Sequence, residues 1–149
     1  MMDLANNLIA VQSLAPAVRT ADANGTGVDL QGFEGAMAIF DIGAEGDTLS
    51  GSVKIDVKLE HSDDDSSYSA VTSSSDVTDG SVDSNGVWAT FDDNTEAPAV
   101  VGIGYVGGKR YVRVVADFTG SHSNGTPVSA MIVKGFARHS ENAGASSTS

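Results

Sequence analysis

Hydrophobic and polar residues alternate along two stretches of the chain, and this period-two pattern predicts β-strands. In residues 53–60 every odd position is apolar and every even position is charged. In residues 110–118 the apolar side chains that share one face are Val112, Val114, Ala116 and Phe118. Successive side chains of a strand point to opposite faces, so each stretch should have one face in a core and one in water.

Five further stretches are predicted as strands. Phe33–Ile42 is almost continuously apolar, which is typical of a strand that is buried on both faces or that faces a partner. The other four are residues 68–71, 87–91, 100–106 and 128–137. Gly, Asn and Asp separate these runs and favour turns. We therefore predict an all-β fold, an antiparallel β-sandwich or jelly roll of about seven or eight strands.

The two ends of the chain lack this pattern. Leu4, Leu8 and Val11 recur at spacings that would line one side of a short helix, and Pro16 would end any such helix by residue 15. Residues 1–15 are therefore predicted as an apolar arm, helical or extended, which packs either on its own domain or on a neighbouring subunit. Residues 140–149 are rich in Ser, Ala and Gly and are predicted as a flexible tail. The sandwich domain is then residues 16–139.

Composition excludes several classes of function. The 20 acidic and 8 basic residues give a net charge of −12, which argues against binding to nucleic acid or to an anionic membrane surface. The chain has no cysteine, so disulfides, thiolate metal sites and thiol catalysis are excluded. Ten of the acids, and no base, lie between Lys58 and Lys109. Because they fall in loops, we expect one end of the sandwich to be strongly negative and to face solvent.

The run Asp63-Asp64-Asp65 is a candidate calcium loop that fails the spacing test. An EF-hand loop needs Gly at its sixth position and Glu at its twelfth, where this chain has Tyr68 and Ser74. A weak cation site near these three aspartates stays open as an alternative to a solvated loop.

No other group of residues has the spacing of a catalytic or metal site. The histidines, His61, His122 and His139, do not form a metal-binding motif, and no serine lies in a Gly-x-Ser-x-Gly sequence. The glycines at 102, 104, 107 and 108 lie between two predicted strands, whereas a dinucleotide loop precedes a helix. We therefore predict no catalytic residue, no cofactor and no metal, and a protein that is not an enzyme.

A carbohydrate-binding sandwich is an alternative that the aromatic residues leave open. Such a module would stack sugars on exposed rings, for which the candidates are Trp88, Tyr68, Tyr105 and Tyr111. The chain has only nine aromatic residues, which must also fill a core. Trp88 is therefore predicted to belong to the core.

Three segments resemble small virion proteins of tailed bacteriophages. Residues 57–71 read VKLEHSDDDSSYSAV, residues 29–36 read DLQGFEGA, and residues 105–114 read YVGGKRYVRV. Their order is also similar, over about residues 14–139. This chain has Asp65 where the resembling sequences usually have Gly, and Tyr68 where they commonly have Trp. Both differences should change the shape of a loop more than its role.

The resemblance implies a capsid decoration, or cement, protein on the outside of the virion head, made in the host cytoplasm. Its implied partners are the major capsid protein and further copies of itself, with a trimer favoured. A tail or tail-fibre accessory protein is the structural alternative. The resemblance supplies no binding residues.

The candidate interface residues come instead from the arm and from a cluster of bases. They are Leu4, Leu8, Val11, Leu14, Lys109, Arg110 and Arg113. The three bases would pair with acids on the capsid or on a sister subunit, or else would simply belong to a solvated strand face.

Overall fold

A computed structural model describes residues 3–137, which form eleven β-strands and one 3₁₀ turn at Ser74–Asp76. The strands are β1 (Leu8–Arg19), β2 (Ala23–Asn24), β3 (Val28–Asp29), β4 (Phe33–Ile42), β5 (Lys54–Ser62), β6 (Ser69–Ala70), β7 (Val77–Thr78), β8 (Val87–Phe91), β9 (Ala99–Tyr105), β10 (Tyr111–Thr119) and β11 (Thr126–Ala137). The predicted flexible tail, residues 140–149, and His139 lie outside the described residues. No helix among the described residues has the length and hydropathy needed to cross a bilayer.

The strands form two antiparallel sheets with nested pairing. The five-stranded sheet has the order β1-β11-β4-β9-β7, and the other has β2-β10-β5-β6, with β3 also on β10 and β8 on β5. The first strand thus pairs with the last, β2 and β3 pair with β10, β4 with β9, and β5 with β8. This is a long antiparallel hairpin wrapped into a sandwich, which is the connectivity of a jelly roll.

The predicted alternation is confirmed in β5 and β10. These strands pair along their whole lengths, from Lys54 opposite Thr119 to Ser62 opposite Tyr111. Their inward residues are buried, and Val57, Leu59 and Val114 have no exposed surface. Across the core, the ring centroids of Phe40 and Phe91 lie 6.1 Å apart, which places the two sheets face to face.

The structure contains more strands than the seven to eight predicted, because four elements have no sequence pattern. Three of them, β2, β3 and β7, are two residues long, which is too short for a period to appear. The fourth is β1, which overlaps the predicted arm. Each is fixed by backbone pairing to a long neighbour in its sheet.

From Leu8 onward the predicted arm is extended and forms an edge strand of its own domain. Strand β1 pairs with β11 from Leu8 opposite Gly135 to Arg19 opposite Thr126, with register shifts on both sides of Leu14. Pro16 lies inside the second shift, where a missing N–H interrupts no regular ladder. The shifts break the period of two, which explains why residues 8–19 show no strand pattern and why the helical alternative is wrong for the residues from Leu8 onward.

The acids of the base-free stretch separate to opposite ends of the sandwich. Asp63 follows the last residue of β5, whereas Asp92 follows Phe91, which pairs with Ile55 near the start of β5. We call these ends the Lys109 end (loops at 30–32, 63–68 and 106–110) and the Asp47 end (loops at 43–53, 92–98 and 120–125). The expectation of a single negative end is therefore wrong.

Candidate interaction surface

The four predicted apolar interface residues divide between surface and core. Leu4 is 67% exposed, and Leu8 on β1 is 40% exposed. Val11 packs against the core, and Leu14 is 2% exposed within it. Only Leu4 and Leu8 are available to a partner, and both lie at the Lys109 end, because Leu8 is opposite Gly135 near the end of β11.

Two of the predicted bases, Lys109 and Arg110, are paired with acids of the same chain. Lys109 Nζ donates to Asp63 at 2.8 Å. Arg110 donates from Nε and from a terminal nitrogen to the two carboxylate oxygens of Asp29, at 2.9 and 2.8 Å. These hydrogen bonds hold the pKa of the Asp29 carboxyl below its usual value. The two bases therefore tie the loops of the Lys109 end together.

The third base, Arg113, belongs to the outer face of β10. Its Nε donates to Glu60, the residue directly opposite on β5, at 2.8 Å, and a terminal nitrogen of its guanidinium lies 2.6 Å from the same oxygen. The guanidinium also lies 4.0 Å from the centroid of the Tyr68 ring. Of the two alternatives for these bases, Arg113 fits the solvated strand face, because its charge is paired with Glu60 of the same chain.

Residues 29–36, 57–71 and 105–114 meet at the Lys109 end. A depression of about 440 Å³ there is lined by Leu30, Gln31 and residues 33–35 of the segment 29–36, by Asp63 of the segment 57–71, and by residues 105–110 of the segment 105–114. Every residue that lines it belongs to one of the three segments. Segments separated by up to 70 positions in the chain thus build one continuous surface.

Tyr105 fixes the loop on one side of this depression. Its hydroxyl lies 3.0 Å from Nδ1 of His61 and accepts a hydrogen bond from the Lys109 backbone N–H at 3.2 Å. Burial lowers the pKa of His61 and raises that of Tyr105, so both groups are neutral at pH 7. A Cβ at Gly107 would lie 2.5 Å from the Tyr105 hydroxyl oxygen, so the loop needs glycine for this approach.

The three adjacent aspartates serve three different partners. Asp63 pairs with Lys109, and Asp65 accepts from the Tyr68 hydroxyl. Asp64 accepts from the backbone N–H groups of residues 66 and 67 at 3.0 and 2.9 Å and from the Ser62 hydroxyl, and these bonds lower its pKa. Carboxylates that diverge in this way do not converge on an ion, and residues 3–137 contain no group of three or more ligand side chains suited to a metal.

The backbone of the loop is unusual at Asp65. Its φ is 61°, in the left-handed region, where Gly is favoured and Asp is tolerated.

The four candidate aromatic platforms are all engaged within the chain. Tyr105 is 2% exposed, and Trp88 is partly buried against the core, as predicted. Tyr68 lies under the Arg113 guanidinium, and the Arg110 guanidinium lies 5.1 Å from the centroid of the Tyr111 ring. Because an arginine side chain lies over each of these two tyrosine rings, the geometry does not favour a carbohydrate site built on them.

An apolar surface that the sequence analysis did not identify as a site covers the outer face of the five-stranded sheet. Its side chains come from neighbouring strands: Met37 lies opposite Val133, and Ile39 lies opposite Met131. Met37 and Met131 are 39% and 41% exposed. The continuous apolar run of Phe33–Ile42 could have predicted this surface, because a strand that is apolar on both faces is either buried on both or faces a partner.

The apolar surface contains a hollow of about 250 Å³ at the Lys109 end, which we call the apolar hollow. Its lining includes Leu8, Gly35, Met37, Val106, Gly135 and Phe136. Gly35 and Val106 also line the larger depression, so the two concavities are continuous. The Lys109 end therefore combines a polar depression, an apolar hollow and exposed leucines.

Comparison with known proteins does not identify a family for this chain. No protein-family model matches the chain, and a search of the curated proteins gives no match. The fold and surface define an all-β jelly roll with one charged outer face and one apolar outer face.

Proposed function

We propose that this chain is a non-enzymatic structural virion protein that binds the outside of a tailed-phage capsid and stabilises its lattice. The observation that supports this most is the convergence of the three resembling segments. They are far apart in sequence, yet together they line one depression, as expected if the resemblance reflects a shared surface.

The distribution of charge supports an orientation with the Lys109 end toward the capsid. At this end Lys109 and Arg110 pair with Asp63 and Asp29, and the two acids without a salt bridge, Asp64 and Asp65, accept hydrogen bonds within their own loop. The acids of the Asp47 end take part in none of the five salt bridges of the described residues, and they are Glu45, Asp47, Asp92, Asp93 and Glu96. An unneutralised acidic end is most favourable in solvent, because burial of unpaired carboxylates is strongly unfavourable.

Binding alone would account for the stabilisation. A protein that binds the assembled lattice and not its free subunits stabilises the lattice by mass action, by about 2.7 kcal/mol per site at a concentration of 100 times the Kd. This role needs shape and adhesion at a seam between capsid subunits and no turnover. A trimer, as the resemblance implies, would strengthen attachment by engaging several sites at once.

The decisive experiment is cryo-electron microscopy of virions that lack this protein, with add-back of the purified chain. We expect protrusions to disappear from the head, the head to rupture at lower temperature, and both properties to return on add-back. Loss of tail parts with an intact head would instead support the tail accessory protein, and absence of the chain from finished particles would contradict both structural roles.

A point substitution tests the proposed orientation better than deletion of residues 1–15, which would remove most of the β1 pairing near the Lys109 end. We expect Leu4→Ser to weaken binding to empty capsids roughly tenfold, the effect of losing about 1.4 kcal/mol of apolar burial. Val18→Ser is the matched control, because Val18 is 64% exposed near the opposite end of β1. Equal binding by both variants would contradict this orientation.

A further inference from the structure

We propose that His61 and Tyr105 form a pH-sensitive latch, which holds residues 106–110 against the sandwich and releases them when His61 takes up a proton. We call residues 106–110 the Lys109 loop. The proposal concerns the isolated chain and does not depend on capsid binding. It rests on the hydrogen bonds of the Tyr105 hydroxyl, on the way the loop is attached, and on the groups that surround His61.

The latch joins the two sheets inside the Lys109 end. His61 lies on β5 and Tyr105 lies on β9, and the two residues are 8% and 2% exposed. Nδ1 of His61 lies 3.0 Å from the Tyr105 hydroxyl oxygen, and the centroids of the two rings lie 5.8 Å apart in an edge-to-face arrangement. A buried histidine therefore contacts the same hydroxyl that accepts the Lys109 backbone N–H.

Both ends of the Lys109 loop are anchored by backbone hydrogen bonds that do not involve the latch. At one end the Val106 N–H donates to the Asp76 carbonyl at 2.8 Å. At the other end the Arg110 carbonyl accepts from the Leu30 N–H, also at 2.8 Å. These two bonds define the points between which the loop can move while the strands on either side stay in place.

The middle of the loop is attached more weakly than its ends. It is held through Lys109, whose backbone N–H donates to Tyr105 at 3.2 Å and whose Nζ donates to Asp63 at 2.8 Å. The Asp63 side chain is 73% exposed, so solvent screens this ion pair. Gly107 and Gly108 precede Lys109 and allow the backbone to change direction at low cost. The buried Tyr105 hydroxyl is therefore the contact on which the closed loop depends most.

The Tyr105 hydroxyl satisfies both of its neighbours only while His61 is neutral. Its oxygen accepts the Lys109 N–H, and its single proton is then available to an unprotonated Nδ1 of His61. In a protonated histidine both ring nitrogens are donors, so Nδ1 would donate to the same oxygen. The hydroxyl proton would lose its buried acceptor, and the Lys109 N–H would compete with a charged donor.

The surroundings of His61 also oppose its protonation while the loop is closed. Burial, and then the Lys109 ammonium, hold the pKa of His61 below its usual value, against the opposing attraction of Asp76 and Asp63. Opening the loop admits water to the ring and moves the Lys109 ammonium away. The open form therefore binds the proton more readily, and acid favours it. The residues opposite His61 on the paired strands carry no charge, and they are Val112 and Ser69.

The test is hydrogen exchange of the Lys109 amide, measured by NMR on the purified full chain between about pH 7.5 and about pH 5. His61 in the open form should have the ordinary histidine pKa of about 6.5. The Lys109 protection factor should therefore fall by up to about tenfold per pH unit below that value. It should stay well below the protection factors of the β10 amides and be insensitive to about 1 M urea, because local opening exposes little surface.

Two results of this measurement would overturn the proposal. One is a Lys109 protection factor that does not change with pH. The other is a protection factor that equals those of the β10 amides and falls with them in urea, because the loop would then open only when the whole domain unfolds.

Three variants assign the effect to the latch. His61→Asn keeps a side-chain acceptor for the hydroxyl but does not titrate, so Lys109 protection should be independent of pH. Tyr105→Phe keeps the buried ring without the acceptor and should lower Lys109 protection roughly fivefold already at about pH 7.5. His122→Gln, at a buried histidine of the Asp47 end, is the control and should keep the wild-type pH dependence. Wild-type pH dependence in His61→Asn, or undiminished protection in Tyr105→Phe, would contradict the latch.

A consequence for capsid binding rests on the proposed function. The Lys109 loop supplies residues 106–110 to the lining of the depression, so its opening should weaken binding to empty capsids at about pH 5, and His61→Asn should retain that binding. A loop that opens while capsid binding stays unchanged would contradict the orientation of the Lys109 end toward the capsid. The latch itself is decided by hydrogen exchange, in which no capsid is present.

Discussion

The two outer faces of the sandwich differ although both come from the same period-two backbone. On β5 and β10 the outward charges are paired across the strands: Arg113 with Glu60, and Lys58 with Asp117 at 2.7 Å. On β4 and β11 most outward residues are apolar, as at Met37 and Met131, which are partly exposed, and the outward pair Asp41 and Ser129 is polar. The outer face of β5 and β10 therefore pairs its own charges, and the outer face of β4 and β11 leaves apolar surface in contact with water.

This difference indicates where a partner would bind. A paired polar face gains little from a partner, because its ion pairs would have to be desolvated or exchanged. An apolar face gains free energy from each Å² removed from water, about 25 cal/mol. The outward residues that form ion pairs and the outward apolar residues that a partner would cover thus lie on opposite faces of the sandwich.

Of the substitutions that compare the two faces, we expect replacement of Arg113 to lower the free energy of unfolding most. Arg113→Met leaves Glu60, whose side chain is 21% exposed, without its partner, and it uncovers the Tyr68 ring. We expect the free energy of unfolding to fall by about 2 kcal/mol in urea denaturation. The matched change on the other face, Met131→Ala, should alter it by no more than about 0.5 kcal/mol. Equal effects would contradict the contrast between the faces.

A somewhat smaller loss of stability is expected where β1 of one sheet is hydrogen-bonded to β10 of the other. The Ser13 hydroxyl accepts from the Val114 N–H at 3.1 Å and donates to the Thr26 carbonyl at 3.0 Å. Ser13→Ala leaves that buried N–H unsatisfied, so unfolding should become easier by about 1–2 kcal/mol in urea. Ser129→Ala, at a half-buried outward position, is the control and should be nearly neutral. An unchanged free energy of unfolding for Ser13→Ala would mean that the Ser13 hydrogen bonds do not contribute to stability.

A pH-dependent effect is expected from His61 at the end of β5. Burial lowers the pKa of His61 in the folded state, so the unfolded chain binds the proton more readily. Stability should therefore decrease as the pH falls below about 6.5, the pKa of an unfolded histidine. Tm measured between pH 7 and pH 5 should decrease more steeply in the wild type than in His61→Asn. Parallel curves would contradict this assignment.

The smallest effect is expected at the exposed part of the charged face. The side chains of Lys58 and Asp117 are 25% and 29% exposed, so solvent screens their attraction. Lys58→Met should lower the free energy of unfolding by about 0.5 kcal/mol at low salt, and the difference should shrink at about 1 M NaCl. A loss that is independent of salt would point to packing of the lysine stem instead of charge.

The strands that a strict alternation or a long apolar run predicted are present, because such patterns report directly on which face is buried. Residues 53–60 and 110–118 became the centre of one sheet, and Phe33–Ile42 became a central strand of the other. Strand β1 could not be predicted, since two register shifts in the same strand destroy its period. The same shifts divide the candidate interface leucines: Leu4 and Leu8 are exposed, but Leu14 turns into the core after the first shift.

Local periodicity and composition were sufficient to predict the all-β class, the two alternating strands and the acidic, cysteine-free character of the chain. Tertiary structure decided which acids meet which bases, that Gly35 and Gly135 lie opposite each other, and that His61 meets Tyr105 in the core. Those features arise from pairing between residues up to about 100 positions apart. Register between distant strands is a property of the whole packed sheet, and no local pattern in the chain records it.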